Sequence, residues 1–568
     1  MVPGNDPIRQ QGRGRWSVAD LIDRERTAFT EFLSLFLRSV RERLIISPIN
    51  PFGDAICSEA RMSLALTRKA QRKNFGDFQT PPALVSAILD VLAGFAEPPS
   101  RVLEPTCGIG RFIAGILDRD QVPAEILGLE IQAEHAAIAR SIVDPTGPTR
   151  VQITMADLFG VDLRHDLNWS SSGPLLVVGN LPWVTTAGLG ATGGQNGPAR
   201  TNHRRHRGID ALTGESNFDI SEAIWIKLIR ELADERPTIA LLCKTAVART
   251  ILGSIARDKL PIIRASLWKI DAKRWFSAAV DACLFRVEVG GGRQATTAEV
   301  FSDLAATLPE SILGLGDGPI IANQASYNRV AFADGECPLQ WRQGIKHDAS
   351  AIMELIQSPD GSLRNRLGQV VEVEPEYVYP LEKGTDLAGS RRERPLLGVI
   401  VTQTRLGDDT ADLERRAPRL WAYLQQHREV FTGRKSSIYR GRPPFAMFGV
   451  GDYTFAPFKV GISGLHKKPR FRRLDPVAGR PKLLDDTCYF LPCGTEEQAE
   501  LLVQVLNGPV VLSLLDSLIF PDSKRPVTKK LLQRINLFAI LSEAGLADRW
   551  QPHWGQEWSV RPARPKRI

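Results

Sequence analysis

Four short stretches of this 568-residue sequence carry residue types at spacings that do chemistry. The first runs Arg-Val-Leu-Glu-Pro-Thr-Cys-Gly-Ile-Gly-Arg-Phe over residues 101–112: a short apolar strand closing on Glu104, a tight turn holding Gly108 and Gly110, then a helix. Two glycines let a backbone approach a ligand where a Cβ would collide. A dinucleotide fingerprint would need a third glycine at position 113, which is Ile, and a phosphate loop would need Gly-Lys-Ser/Thr, which is absent. Both absences argue against a pyrophosphate ligand and leave room for a cofactor without one. In the second stretch, Gly128-Leu129-Glu130 closes the next strand on an acid suited to accept two hydrogen bonds from ribose hydroxyls. The third, Met155-Ala156-Asp157-Leu158-Phe159, again ends a strand on an acid. Asp157 there can accept from an adenine amino group while an apolar neighbour packs on the ring. Each carboxylate alone is more often a helix N-cap or a solvated loop residue; three at successive strand ends form a constellation.

The fourth stretch is a strand, Leu175–Val178, running into Gly179-Asn180-Leu181-Pro182-Trp183. An adenine amino nitrogen is a poor nucleophile because its lone pair is delocalised into the ring. Two acceptors aimed at its two hydrogens draw it towards a pyramidal geometry, and the Asn180 side-chain oxygen with the Leu181 carbonyl supplies such a pair. A sulfonium methyl then needs only in-line placement, so positioning carries most of the rate.

This run resembles the Asn-Pro-Pro-aromatic motif of S-adenosylmethionine-dependent amino-methyltransferases. With Phe78-Gln79-Thr80-Pro81-Pro82 upstream, the order Thr-Pro, glycine loop, Asn-x-Pro-aromatic, large C-terminal region is similar to the gamma class of N6-adenine DNA methyltransferases of restriction-modification type. The resemblance covers residues 73–290 well and 341–547 more loosely. It implies S-adenosylmethionine as cofactor, held by Thr80, Glu104, Gly108, Gly110, Glu130 and Asp157. It implies catalysis at Asn180, Leu181, Pro182 and Trp183, with Trp183 stacked on a target adenine flipped out of double-stranded DNA. Phe218, within Asn217-Phe218-Asp219, would pack against that base, although Asn217 and Asp219 serve equally as caps of the helix that follows. Position 181 is Leu where the DNA enzymes usually have Pro; Asn-Leu-Pro-aromatic is the form of ribosomal RNA dimethyladenosine transferases, which lack a large C-terminal region. An RNA adenine methyltransferase and an inactive DNA-binding subunit with this fold are the alternatives, and the intact acid, glycine and Asn180 set speaks against decay. Cytosine-N4 enzymes usually carry Ser at the position of Asn180.

These residues need a frame that brings strand ends together. Apolar runs at Arg101–Leu103, Ile126–Glu130, Gln152–Met155, Leu175–Val178, Thr238–Lys244 and Ala282–Val289 read as strands. They alternate with helical patterns at Ala83–Phe95, Arg111–Leu117, Glu134–Ser141 and Glu222–Leu232. That alternation predicts an α/β fold with a mainly parallel sheet, whose ligands bind beyond the carboxyl ends of the strands. With the resemblance, the expected layout is a helical N-terminal extension (1–72), a Rossmann-like methyltransferase domain (73–300) and a connecting region (301–340). A mixed α+β target-recognition domain (341–548) and a basic tail (549–568) follow. Helices are expected at Ser17–Leu44, Ser58–Gln71, Glu496–Leu506 and Val527–Leu537, and the triple glycine 290–292 is expected to mark a domain edge.

The net charge of +8 is unevenly spread: residues 391–482 hold 20 basic and 8 acidic side chains, leaving −4 for the rest of the chain. A surplus confined to one segment is the footprint of a polyanion-binding surface. Arg434, Lys435, Lys467, Lys468, Arg470, Arg472 and Arg473, interleaved with aromatics, are the expected DNA contacts. His203 and His206 sit among Arg204, Arg205 and Arg207, which disfavours a metal and fits a phosphate-contacting loop. Seven cysteines without a Cys-x-x-Cys pair form neither a disulfide framework nor a zinc module. With no apolar run of membrane-spanning length and no signal-peptide pattern, the expected compartment is the cytoplasm. No Glu-x-Lys or Asp-x-Lys stands near a predicted strand in the N-terminal region, so a nuclease, if one is associated, is expected on a separate chain.

Overall fold

A computed structural model describes residues 79–94, 97–183, 219–316, 318–358, 360–389 and 397–554. The helices expected before residue 72, the 184–218 loop with Asn217 and Phe218, and the tail beyond 554 lie outside the described residues.

Nine strands form one sheet: β1 (Arg101–Glu104), β2 (Glu125–Glu130), β3 (Arg150–Met155), β4 (Leu175–Asn180), β5 (Thr238–Lys244), β6 (Ile262–Ile270), β7 (Ala282–Val289), β8 (Thr297–Phe301) and β9 (Ser311–Gly314). Their order is β3-β2-β1-β4-β5-β7-β6-β8-β9, with β1 to β5 parallel and β7 antiparallel to both neighbours. β1 and β2 are buried along their whole length, because central parallel strands covered by helices on both faces read as continuous apolar runs. β3, at the edge, buries only Ile153. Chain order reverses between β1 and β4, and at such a switch point a crevice opens beyond the carboxyl ends of the strands. Glu104, Glu130, Asn180 and Lys244 are each the last residue of their strand.

The helices Pro82–Ala93, Arg111–Leu117, Ala133–Ser141 and Ile220–Glu231 fall where the periodicity places them. Pro82 occupies the first turn of its helix, where its missing N–H costs nothing. Sequence reading missed β6, whose exposed Ile263 and Arg264 blur its apolar pattern. It also misplaced the domain edge. Gly290–Gly292 is an inter-strand connection, and β8 and β9 extend the same sheet beyond it, β8 pairing in parallel with β6.

The C-terminal half holds two further sheets. One is antiparallel: β10 (Arg342–Gln343), β18 (Cys488–Cys493), β15 (Phe458–Ser463) and β16 (Arg472–Leu474). The other runs β12 (Leu363–Asn365), β11 (Glu354–Gln357), β14 (Leu397–Ile400), β13 (Val378–Glu382), β17 (Leu483–Leu484). Each has its own apolar core, one around Trp341, Leu502 and Trp550, the other around Met353, Leu420 and Phe445. The helix Glu496–Leu506 forms as expected, opened by a reciprocal Thr495–Gln498 capping box. The helix expected over Val527–Leu537 is instead two, Lys529–Leu532 and Leu537–Glu543, because Asn536 turns out of the first to cap the second through Ala539 N. The halves are joined by an Arg249–Asp522 ion pair, by Arg249 over the Phe520 ring at 4.7 Å, and by Ala322 and Asn323 N–H groups donating to the Ser517 carbonyl. Among the described residues, no single helix is long and apolar enough to cross a membrane.

Candidate active site

The glycine loop after β1 is pinned from three sides. Cys107 N–H donates to the Leu129 carbonyl at 2.8 Å, Gly108 N–H to Glu130 Oε2 at 2.8 Å, and Thr106 Oγ1 to the Asn180 carbonyl at 3.2 Å. Gly108 and Gly110 have φ of +52° and +78°, and a Cβ on Gly110 would sit 2.8 Å from Ile142 Cδ1. Glycine is required there by conformation and by space together. The thiol of Cys107 packs against Gly128, and burial raises its pKa, so it is a small core residue rather than a nucleophile.

Glu104 is 2% exposed, and its Oε2 has no hydrogen-bond partner among the described residues. Burial pushes its carboxyl well above the ordinary range; an Ile113 backbone hydrogen bond opposes the shift and the Glu130 charge adds to it. A Cβ on Gly179 would lie 3.3 Å from Glu104 Cγ, so the β4 glycine is what lets the two strand ends approach. Glu130 also accepts from Gln132 N–H at 2.8 Å and so ties its own turn to the glycine loop. Asp157 is exposed, and its Oδ1 caps the short turn Leu158–Gly160 through Phe159 N–H at 3.0 Å. The capping role and an open second oxygen coexist in that residue. Ile131 and Met155, beside these acids, are 41% and 54% exposed, two apolar surfaces of the kind a flat ring covers. Upstream, the Gln79 side chain lies beside Gly108 and Thr80 is buried, so the Thr-Pro segment does abut the glycine loop.

The Asn180–Pro182 backbone is clamped at three points. The Asn180 carbonyl takes the Thr106 hydroxyl, Leu181 N–H donates to the Leu242 carbonyl at 3.2 Å, and the Pro182 carbonyl takes the Ser221 hydroxyl at 2.7 Å. The Leu181 side chain is buried in the core with Leu241 and Ile224. Among the described residues, no donor reaches the Leu181 carbonyl. Trp183 is not the open stacking platform expected from sequence: it is 7% exposed and packs edge-to-face on Phe276, ring centroids 5.0 Å apart. A large apolar ring beyond a strand end is drawn onto the helix Ala272–Phe276, which covers that side of the sheet.

Sequence reading missed three supporting residues: Thr106, Ser221 and Lys244. Lys244 Nζ pairs with Asp219 Oδ2 at 2.7 Å, while Asp219 Oδ1 accepts from Ser221 N–H and caps the helix Ile220–Glu231. Lys244 ends β5, so the strand-end rule that picked out the acids picks it out too.

The chain is 34% identical over 469 residues to the type II methyltransferase M.NspV of Nostoc sp. (strain ATCC 29411 / PCC 7524), spanning 82% of this chain and 96% of that protein. The chain belongs to the type II DNA methyltransferases. No family model matches it. Among solved structures it is similar to the type IIL restriction-modification enzyme MmeI in complex with DNA, at 12% identity and a TM-score of 0.43, over 84% of this chain and 76% of that one. It is also similar to an rRNA methylase from Streptococcus thermophilus, at 13% identity and a TM-score of 0.23, over 38% of this chain and 100% of that one.

The methyltransferase's C-terminal basic residues divide into two groups. Lys435, Lys467, Lys468 and Arg470 are exposed, the last three in the loop from β15 to β16. Arg434 is not a free surface charge: its guanidinium donates to the Phe431, His347 and Ala446 carbonyls and lies 3.6 Å over the Tyr439 ring. Arg473 is held by Asp475, Glu496 and Glu500 at 3.0–3.1 Å, and Arg472 is half-buried with its Nε enclosed. Arg434 and Arg473 brace the fold in the structure, against the expectation that they contact DNA.

Proposed function

We propose that this type II DNA methyltransferase is of the gamma class and moves the methyl group of S-adenosylmethionine onto N6 of adenine within a specific duplex sequence. The observation that carries the reading is the clamp on Asn180-Leu181-Pro182, in which no donor among the described residues takes the Leu181 carbonyl, one residue on from the Asn180 amide. Those two acceptors suit the two hydrogens of one exocyclic amine.

The residues present fit the cofactor. A buried, unpartnered carboxyl oxygen on Glu104 beside the Glu130 carboxylate makes a pocket short of positive charge, matching a ligand that carries an ammonium and a sulfonium. Gly108 and Gly110 would give backbone access, Glu130 would take ribose hydroxyls, and Asp157 would take the adenine amino group, with Ile131 and Met155 offering apolar surface to the ring. Thr80 closes the methionine side. When bound, S-adenosylmethionine supplies an electrophilic methyl group that needs no further activation. The protein's own work is to present and orient. Asn180 Oδ1 and the Leu181 carbonyl draw the target amine hydrogens and hold the nitrogen lone pair towards the methyl; Pro182 and the buried Trp183 back the motif.

Lys435, Lys467, Lys468 and Arg470 engage phosphates of the duplex, and any nuclease of the system resides on another chain. The test is Asn180→Ala: methyl transfer should fall by at least about 10²–10³-fold while binding of cofactor and of DNA persists. Loss of binding together with activity would make Asn180 structural.

A further inference from the structure

We propose that Thr106 is a positioning residue of the methyl transfer, its hydroxyl holding the Asn180 acceptor in place against the glycine loop. The inference rests on the reading of Asn180 given above. Thr106 sits between Glu104 and Gly108, the residues assigned to the cofactor, yet its side chain turns the other way, across 74 residues of sequence, to the carbonyl of the residue assigned to the base. The loop that carries it is itself held to β2 through Cys107 N–H and through the Gly108 bond to Glu130. The cofactor side and the base side of the reaction therefore share one rigid connection, and Thr106 is its last link.

The carbonyl it holds belongs to the same residue as the amide that accepts from the base, and the next carbonyl along is the second acceptor. The Asn180–Leu181 peptide lies between the two acceptors, so its orientation helps set where one stands relative to the other. Leu181 N–H still donates to the Leu242 carbonyl and Ser221 still holds the Pro182 carbonyl, so losing the Thr106 bond removes one of three anchors, the one that ties the motif to the glycine loop. Methyl transfer has little besides geometry to lower its barrier, and a displacement of about 1 Å can cost about 100-fold in rate.

The experiment compares Thr106→Val, which keeps the shape and removes the donor, with Thr106→Ala, a smaller donor-free variant, and Thr106→Ser, which keeps the hydroxyl. Single-turnover methyl transfer to cognate duplex, dissociation constants for S-adenosylmethionine and for DNA, and melting temperature are measured for each. The expected result for Thr106→Val and Thr106→Ala is a rate lowered about 10- to 100-fold, with both dissociation constants within about threefold of wild type. Thr106→Ser should recover to within about threefold of the wild-type rate. A wild-type rate in Thr106→Val overturns the inference, as does a Thr106→Ser variant as slow as Thr106→Val, which would make the methyl group's packing the active feature. Loss of cofactor affinity in proportion to rate also overturns it. An Asn180→Ala control that transferred methyl at the wild-type rate would instead remove the reading of Asn180, whatever Thr106 does.

Discussion

The Leu181 N–H donates to the Leu242 carbonyl at 3.2 Å, carrying the β4–β5 ladder one residue beyond the strand into the Asn180-Leu181-Pro182 run. A proline at 181, the usual residue of the DNA enzymes the motif resembles, has no hydrogen to give. Leu181 is also buried, so its side chain serves the fold. The departure from Asn-Pro-Pro therefore has a local structural reason and need not report the nucleic acid. Leu181→Pro is expected to cost about 1–3 kcal/mol for the Leu242 carbonyl left without its partner, read as a lower denaturation midpoint. Its product should be unchanged. A variant of wild-type stability would show that the bond contributes nothing.

Glu104 gives a pH dependence whose sign is set by its surroundings. Burial and the Glu130 charge raise its pKa, and a cationic ligand beside it favours its ionised form, so binding promotes loss of its proton. Affinity for S-adenosylmethionine should rise with pH until Glu104 ionises in the free protein, and Glu104→Gln should flatten the curve. Calorimetric titration at a series of pH values above the ordinary carboxylate range reads this directly. A wild-type affinity that falls as pH rises would contradict it.

Lys459 is 1% exposed and donates to the Ala456 carbonyl at 2.7 Å; burial lowers its pKa from 10.5 to about 7. Between those values the unfolded chain carries the extra proton, so stability should increase as pH rises from about 7 towards 10. Lys459→Met should remove that increase, measured as denaturant midpoints at about pH 7 and about pH 9. An identical pH profile in the variant would acquit Lys459.

Reversing Lys467, Lys468 and Arg470 to Glu should weaken DNA binding and lower the slope of log affinity against log salt by about 0.9 for each phosphate no longer neutralised. Arg473→Glu should behave differently. It breaks three ion pairs within the C-terminal domain and should lower stability with little change of slope. An unchanged slope in the triple variant would take that loop out of the interface.

Much of the frame is legible in sequence because buried parallel strands write themselves as apolar runs, and each of these ends on a polar residue. Glu104, Glu130 and Asn180 were recoverable for that reason. The supports were not. Thr106 and Ser221 act through carbonyls brought near by the sheet order, and a hydroxyl in sequence does not name its acceptor. Trp183 reads as a platform until Phe276 is seen against it, 93 positions later. Lys467 and Arg473 are alike as charges; only folding puts three carboxylates beside one of them.

The central claim is the atom that receives the methyl group. Incubating the protein with labelled S-adenosylmethionine and genomic DNA, with total RNA in parallel, and digesting each to nucleosides tests it most directly. The account predicts label in N6-methyl-deoxyadenosine from DNA. Label in N4-methyl-deoxycytidine, or in N6-methyladenosine from RNA alone, would contradict it.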